Sequence, residues 1–222
     1  MTLVKICGLT NYKDAMDAIN LGADFIGLNF YTKVPRYIRL KEARKIAENT
    51  PKKAKKVGIF VNSTLNNIKK ISKDIDLDYI QLHGNESPKF CKEVKKATKK
   101  KVIKALRIKN KNDLIKIKKF DVDYLMFDAY KKGHYGGTGK IIDFNLLKGI
   151  KKNYFLSGGL NPTNVKKAIK RLKPYVVDTS SGVEKSLGKK DYKKIKLFIE
   201  AAKWNANKAI LTSMAEFSFQ KH

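Results

Sequence analysis

The sequence predicts an α/β fold in the form of a single-domain (β/α)8 barrel of the TIM type. Short apolar runs recur at spacings of roughly 20–30 residues, and a helix-like segment lies between successive runs. Strict alternation favours a parallel sheet, and eight such units within 222 residues fit a closed barrel, with an open doubly wound sheet as the alternative. Because no Gly/Ser-rich linker divides the chain, the barrel is expected to cover residues 1–204, followed by a C-terminal tail at residues 205–222.

The predicted strands are rich in Val, Ile, Leu, Phe and Tyr, and most end in Gly, Asn, Asp or Ser. This composition is typical of strands buried on both faces of a parallel sheet. In chain order the predicted strands are Leu3–Cys7, Phe25–Asn29, Lys56–Val61, Tyr79–His83, Val102–Leu106, Tyr124–Asp128, Tyr154–Ser157 and Tyr175–Asp178.

The first predicted helix, Asn11–Leu21, begins at a capping residue, places Ala15 and Ile19 on one face and ends before Gly22. The same pattern of caps and apolar spacing predicts the other helices. They are Lys41–Glu48, Thr64–Ser72, Glu86–Ala97, Lys111–Lys118, a short segment near Phe144–Lys148, Asn161–Leu172 and Lys189–Trp204.

Basic residues outnumber acidic ones by 49 to 20, which gives a formal net charge of +29. Five of the basic residues are arginine, and the lysines are spread along the whole chain. A nucleic-acid-binding protein usually concentrates charge on one face and uses arginine for base and phosphate contacts. Nucleic acid is therefore not the expected partner. The dispersed charge fits either a compositional bias or the attraction of an anionic substrate.

No uncharged apolar run approaches the roughly 20 residues that a spanning helix needs, so no membrane span is expected. The N-terminus lacks the basic and apolar regions of a secretory signal. The two cysteines, Cys7 and Cys91, cannot build a disulfide framework. These features predict a cytoplasmic protein in a reducing compartment.

In a closed parallel barrel, functional side chains lie where the strands end on the C-terminal face. Cys7 ends the first strand and shares a face with Lys5, so we expect a thiol of depressed pKa that acts as base or nucleophile. A buried, inert cysteine is the alternative. Arg36 follows Pro35 in the loop after the second strand and suits carboxylate binding, unless it is a solvated surface arginine.

Polar residues also end the fourth and sixth strands. Gln81 and His83 share a face, and His83 is a candidate general base, anion donor or satisfied core histidine. Asp128 follows the apolar residues of the sixth strand, and this setting favours a protonated carboxyl suited to general-acid work. The alternative for Asp128 is an ordinary capping or turn aspartate.

The loops after the seventh and eighth strands contain small residues that allow an anion to approach backbone N–H groups. In barrels of this kind these two loops commonly bind phosphate. Gly158 and Gly159 are the predicted phosphate-binding residues of the first loop, and Ser180, Ser181 and Gly182 offer a second set. Asp178, just inside the mouth, is placed to orient a hydroxyl or amine.

No pattern in the sequence predicts a metal or nucleotide site. The three histidines, His83, His134 and His222, form no zinc motif, and no GxGxxG follows the first strand. Residues Gly133–Gly139 form a glycine-rich candidate lid that does not match a Walker loop.

Taken in order, the strand-end motifs resemble the phosphoribosylanthranilate isomerase family of tryptophan biosynthesis. The resemblance covers residues 1 to about 200 at nearly every strand end. Its motifs are KICGLT (Lys5–Thr10), PRYI (Pro35–Ile38), VGIFVN (Val57–Asn62), QLHG (Gln81–Gly84), FDA and GGTG (Phe127–Ala129, Gly136–Gly139), SGGLNPTNV (Ser157–Val165) and DTSSGVE with GKKD (Asp178–Asp191). The chain departs from the family at Val34, where the family often has serine, and in the tail after Trp204.

The resemblance implies a cofactor-free Amadori rearrangement of N-(5'-phosphoribosyl)anthranilate, a small anionic phosphosugar–anthranilate substrate. It implies that Cys7 is the general base and Asp128 the general acid, and that Arg36 holds the anthranilate carboxylate. A monomer or a homodimer is expected. Two alternatives stay open at this point: another phosphosugar barrel enzyme, such as an epimerase or indole-glycerol-phosphate synthase, and a nucleic-acid-binding protein driven by the +29 charge.

Overall fold

The protein folds into a closed barrel of eight parallel strands in which each strand pairs with the next and the eighth pairs with the first. The computed structural model describes residues 1–129, 142–150 and 153–204. The strands are β1 Leu3–Cys7, β2 Phe25–Asn29, β3 Lys55–Phe60, β4 Tyr79–Leu82, β5 Lys101–Ile108, β6 Tyr124–Ala129, β7 Tyr154–Leu156 and β8 Val176–Thr179. The predicted fold class is confirmed.

Helices on the outside of the barrel connect most of the strands. They are α1 Tyr12–Asn20, α2 Leu40–Glu48, α3 Leu65–Asp74, α4 Pro88–Thr98, α5 Asn112–Ile115, α6 Val165–Leu172 and α7 Tyr192–Lys203. The side chains of Asn11, Thr64, Ser87 and Asp191 accept a backbone N–H in the first turn of α1, α3, α4 and α7. These caps explain why the helices begin where they do.

Three connections differ from the sequence prediction. The fifth helix is a single turn that buries no residue and runs on into a 3₁₀ turn at Lys116–Lys119, since its lysine-rich sequence offers little apolar surface to the barrel. The segment after β6 is a 3₁₀ turn at Phe144–Leu147. The α6 helix begins four residues later than predicted, at Val165, because the Asn161 side chain accepts N–H groups from Thr163 and Asn164 in a turn.

A short antiparallel hairpin lies between β8 and α7 and was not predicted. Its strands are β9 Glu184–Ser186 and β10 Lys189–Lys190, so α7 begins at Tyr192 instead of Lys189. The hairpin brings both of its inner charged residues, Glu184 and Lys190, to the mouth of the barrel in a buried position.

Two apolar layers hold the barrel together. One lies inside the barrel, where Phe25, Tyr79, Phe155 and Val176 pack with neighbouring strands. The larger one lies between the strands and the helices. Burial on both faces explains the near-continuous apolar character of the strand sequences.

Within the described residues, no helix has both the length and the apolar character that a membrane crossing requires. The predicted tail at residues 205–222 lies outside the described residues.

Candidate active site

A cavity opens at the C-terminal ends of the strands, where the sequence predicted the functional residues. Eight of the ten predicted site residues line it: Cys7, Arg36, Gln81, His83, Asp128, Gly159, Asp178 and Ser181. Gly158 and Gly182 do not line it. The barrel therefore gathers into one place side chains that lie up to 174 residues apart in sequence (Cys7 to Ser181).

Cys7 lies above a buried ion pair. Lys5, on the same inward face of β1, donates to Asp178 Oδ1 across a distance of 2.7 Å. Burial lowers the pKa of the Lys5 ammonium, but the Asp178 carboxylate and the Cys7 sulfur together raise it above its usual value. The Lys5 charge is thus already largely balanced before Cys7 ionises.

The thiol of Cys7 does not have the depressed pKa that its position beside Lys5 led us to expect. Loss of hydration inside the barrel raises the pKa of Cys7, and Asp178 adds to the effect, while Lys5 and Lys190 only partly oppose it. The sequence places the cation Lys5 beside the thiol, and this led to the expectation of a depressed pKa. It shows neither the loss of hydration inside the barrel nor the Asp178 carboxylate that neutralises Lys5. The Cys7 thiolate is accordingly a strong base.

Asp128 ends a chain of polar side chains across β4 and β6. His83 Nε2 lies 3.2 Å from Asp128 Oδ2, and His83 Nδ1 lies 2.8 Å from Gln81 Nε2. Because the Gln81 amide nitrogen donates to Nδ1, this arrangement assigns the ring proton to Nε2, which donates to the carboxylate. The backbone N–H of Ala129 donates to Asp128 Oδ1 at 2.8 Å. Both carboxyl oxygens of Asp128 thus have donors, and its orientation is fixed.

Arg36 is anchored by Glu184, which the sequence analysis did not single out. Arg36 donates through Nε and Nη2 to the two Glu184 carboxylate oxygens, at 2.7 and 2.8 Å. These hydrogen bonds raise the pKa of the Arg36 guanidinium above its ordinary value. Lys190 Nζ lies 3.0 Å from Glu184 Oε1. Burial would raise the pKa of Glu184, but Arg36 and Lys190 together hold it below its usual value.

The loops after β7 and β8 contact each other at the mouth. Thr179 Oγ1 donates to the Leu160 carbonyl at 2.7 Å, and a Cβ at Gly182 would overlap that same carbonyl oxygen. Gly158 and Gly159 both have positive φ, at 92° and 64°, and their N–H groups have no acceptor among the described residues. The sequence predicted phosphate-contacting residues in both loops. The structure places Gly159 and Ser181 on the cavity wall and uses Gly182 for close packing behind it.

Several cavity residues were not predicted as site residues. They are Gly8, Asn29, Tyr31, Val34, Ile59, Val61, Ser157, Leu160 and Thr179. Asn29 and Ser157 end or follow a strand, so the same strand-end rule would have found them. Val34, the departure from the family pattern, lies in the wall. The candidate lid Gly133–Gly139 and His134 lie outside the described residues.

Over residues 1–129, 142–150 and 153–204, no group of three or more His, Cys, Asp or Glu is placed to hold a metal ion. The cavity side chains include a thiol, a carboxyl and an imidazole, which can transfer protons, beside groups that can bind anions.

Comparison with known proteins gives one consistent result. The family model for N-(5'phosphoribosyl)anthranilate (PRA) isomerase matches residues 4–201. The N-(5'-phosphoribosyl)anthranilate isomerase of Thermoanaerobacter pseudethanolicus is 44% identical over 202 residues, which cover 90% of this chain and 97% of that protein.

Solved structures of the same enzyme also match over nearly their whole length. One is a phosphoribosyl anthranilate isomerase in complex with reduced 1-(o-carboxyphenylamino)-1-deoxyribulose 5-phosphate, with 37% identity, a TM-score of 0.81 and coverage of 91% of this chain and 99% of that one. Another shows monomers generated from the dimeric enzyme of Thermotoga maritima, with 37% identity, a TM-score of 0.82 and the same coverage.

Proposed function

Since the chain belongs to the N-(5'-phosphoribosyl)anthranilate isomerase family, it is an isomerase of that substrate, and we propose that Cys7 and Asp128 carry its two proton transfers. The reaction is the Amadori rearrangement of N-(5'-phosphoribosyl)anthranilate to 1-(2-carboxyphenylamino)-1-deoxyribulose 5-phosphate, a step of tryptophan biosynthesis. The observation that carries the assignment is that a thiol and a carboxyl from opposite parts of the sequence line one cavity beside anion-binding groups.

Asp128 is the proposed general acid. Its proton goes to the ribose ring oxygen, the bond between that oxygen and C1 breaks, and the lone pair of the anthranilate nitrogen forms the C1–nitrogen double bond of a Schiff base. The carboxylate left on Asp128 then accepts from His83 and from the Ala129 N–H. Since these donors are in place before the reaction, they stabilise the charge that develops in the transition state.

Cys7 is the proposed general base. Its thiolate takes the proton from C2 of the sugar, and the electron pair moves through C1 to the nitrogen, giving an enolamine. The enolamine then tautomerises to the ketone. The raised pKa of Cys7 makes the thiolate basic enough for this step, and the Lys5 and Lys190 ammonium groups offset part of the cost of forming it.

The two ends of the substrate are anionic, and the cavity has a group for each. Arg36 is the proposed partner of the anthranilate carboxylate: Nε and Nη2 are held by Glu184, and Nη1 has no acceptor among the described residues. The unpaired N–H groups of the β7 loop support the phosphate site, to which we assign Gly158, Gly159, Ser181 and Gly182. Gln81, His83 and Asp178 complete the substrate-binding set.

The experiment that tests the proposal is turnover of N-(5'-phosphoribosyl)anthranilate, followed by the loss of anthranilate-type fluorescence, in wild type and in Cys7→Ala. The substitution is expected to lower kcat by ~10²–10⁴-fold, the usual contribution of a general base, and to leave KM within a few-fold. Cys91→Ala is the matched control, because it removes the other thiol, which lies in α4 away from the cavity. A Cys7→Ala variant that keeps more than about a tenth of the wild-type kcat leaves Cys7 as an inert core cysteine.

We further propose that residues 1–204 form the catalytic barrel and that the enzyme works in the cytoplasm as a monomer or homodimer. Both a dimer and monomers derived from it are known for the relative from Thermotoga maritima. Light scattering on the purified full chain distinguishes the two states, and any larger assembly contradicts the proposal.

A further inference from the structure

Three charged side chains form a buried cluster at the mouth of the barrel, which we call the Glu184 cluster: Arg36, Glu184 and Lys190. Glu184 accepts two hydrogen bonds from Arg36 and one from Lys190. The three side chains are only 13%, 7% and 1% exposed, respectively. Lys190 also donates to the backbone oxygen and to the hydroxyl of Ser180, at 3.0 and 3.3 Å.

The charges in this cluster do not balance. Among the described residues, Glu184 is the sole carboxylate within ion-pair distance of Arg36 or Lys190, so two cations share one anion. With Lys190 protonated, the cluster therefore carries one net positive charge where little water can screen it. Burial lowers the pKa of the Lys190 ammonium below its usual value, and Glu184 partly opposes this. A buried unbalanced charge is costly unless another group compensates it.

The Glu184 cluster lies beside Cys7. Gly8 follows Cys7 directly, and a Cβ at Gly8 would lie 2.7 Å from Arg36 Cδ and 2.8 Å from the Ser180 hydroxyl that Lys190 contacts. The backbone that follows Cys7 therefore packs closely against Arg36, a member of the cluster, and against Ser180, a hydrogen-bond partner of Lys190.

The charged groups around the thiol can be counted element by element. Lys5 from β1 and Asp178 from β8 form a neutral pair, and Lys190 from β10 and Arg36 from the loop before α2 belong to the cluster. From β2 the thiol faces Gly27, where a Cβ would lie 2.8 Å from the Cys7 sulfur, and Gly27 carries no charge. Asp128 and His83 line the opposite side of the same cavity. Of the charges that act on the thiol, those of Lys5 and Asp178 oppose each other, so the excess positive charge comes from Lys190 in the Glu184 cluster.

We propose that the Glu184 cluster sets the balance between thiol and thiolate at Cys7 through its net charge, with Lys190 as the positioning residue that supplies the excess. Lys190 acts through Cys7 and does not touch the substrate. The relevance of this balance to catalysis rests on the proposed function of Cys7 as general base. The charge effect itself is a property of the free protein and does not depend on that assignment.

The test is a titration of the Cys7 thiolate by its ultraviolet absorbance, and by the pH dependence of its alkylation with iodoacetamide. All variants are made in the Cys91→Ala background, which leaves Cys7 as the single thiol of the chain. Lys190→Met removes the excess charge and should raise the proton affinity of the thiol by about tenfold, the usual effect of one nearby charge. Glu184→Gln adds a net positive charge and should lower that affinity by about the same factor.

The double variant Glu184→Gln/Lys190→Met restores the net charge of the wild-type cluster and should titrate close to wild type. Lys189→Met is the matched control, since Lys189 is the exposed neighbour on the same hairpin strand and should leave the titration unchanged. Lys190→Arg keeps the charge and should rescue the titration. If Lys190 had only a structural role, Lys190→Met and Glu184→Gln would not shift the proton affinity of the thiol in opposite directions.

The proposal is overturned if Lys190→Met and Glu184→Gln move the thiolate titration in the same direction, or if neither moves it. Thermal unfolding identifies variants that do not fold. If Lys190→Met does not fold, the other two variants test the proposal. It then requires a lowered proton affinity of the Cys7 thiol in Glu184→Gln and an unchanged one in Lys190→Arg. Failure of the general-base assignment gives a different result: Cys7→Ala keeps its turnover while the titrations still shift in opposite directions.

Discussion

Lys5 Nζ and Asp178 Oδ1 lie 2.7 Å apart on neighbouring strands inside the barrel, with side-chain exposures of 0% and 7%. The two residues are also directly opposite each other in the β1–β8 register. This pair closes the barrel at the seam where the first and last strands meet, and it lies beside the thiol of Cys7, the proposed general base, two residues further along β1.

Replacing one residue of this pair is expected to destabilise the fold more than replacing both. Lys5→Met or Asp178→Asn alone leaves an unpaired polar or charged group in the interior, and each should lower the free energy of unfolding by about 3–5 kcal/mol. The double variant should cost clearly less than the sum of the two. Urea unfolding of the four proteins measures the coupling. The same cycle on the exposed pair Lys13 and Asp17 should show almost none, and additive effects at Lys5 and Asp178 would contradict the prediction.

Arg36→Lys is expected to raise KM more than it lowers kcat. A lysine cannot bind Glu184 with two parallel hydrogen bonds and present a further donor to the substrate at the same time. Loss of one charge-assisted hydrogen bond, roughly 1.5–3 kcal/mol, corresponds to a KM increase on the order of 10–100-fold. Steady-state kinetics check this, with Arg44→Lys as the control, because Arg44 makes the same two-bonded contact to Asp74 on the surface. An unchanged KM would remove Arg36 from the binding site.

Asp128→Asn is expected to lower kcat by ~10²-fold or more, because an amide keeps the shape but cannot give up an acidic proton. KM should change little, since the carboxyl acts after binding. Asp121→Asn serves as control, because Asp121 is exposed far from the cavity mouth. If Asp128→Asn retains near-normal kcat, the acid is another group, and His83, at 3.2 Å from Asp128, is the next residue to replace.

The contribution of the Cys91 thiol to the free energy of unfolding is expected to fall at alkaline pH. Burial raises the pKa of this thiol from 9.0 to about 11, so the folded state keeps its proton where the unfolded chain has lost it. The stability that the neutral thiol contributes is therefore present below pH 9.0, the ordinary value from which burial raises the pKa, and is lost as the pH rises toward about 11.

The measurement for Cys91 compares the free energies of unfolding of wild type and Cys91→Ala near pH 8 and near pH 10. The advantage of wild type over the variant should shrink by roughly 1 kcal/mol over this interval. A difference that stays constant would mean that the folded protein ionises Cys91 as readily as the unfolded chain does.

Much of the fold follows from local sequence because its causes are local. The strands β1 and β2 begin and end where the sequence predicted, since apolar runs bounded by turn residues have few alternatives. In place of the helix predicted at Lys111–Lys118, the structure has one α-helical turn followed by a 3₁₀ segment. A lysine-rich segment without a buried face gains little free energy from packing.

The sequence by itself determined the barrel, its family and the strand ends at which chemistry-bearing residues such as Cys7 and Asp128 lie. Strand-end positions depend on alternation and spacing, which are readable along the chain. The tertiary structure alone decided the electrostatics of the site: that Lys5 is neutralised by Asp178, that Arg36 is held by Glu184, 148 residues away, and that burial raises the pKa of Cys7. Charge interactions and desolvation depend on distance and burial in space, and no spacing along the sequence encodes them.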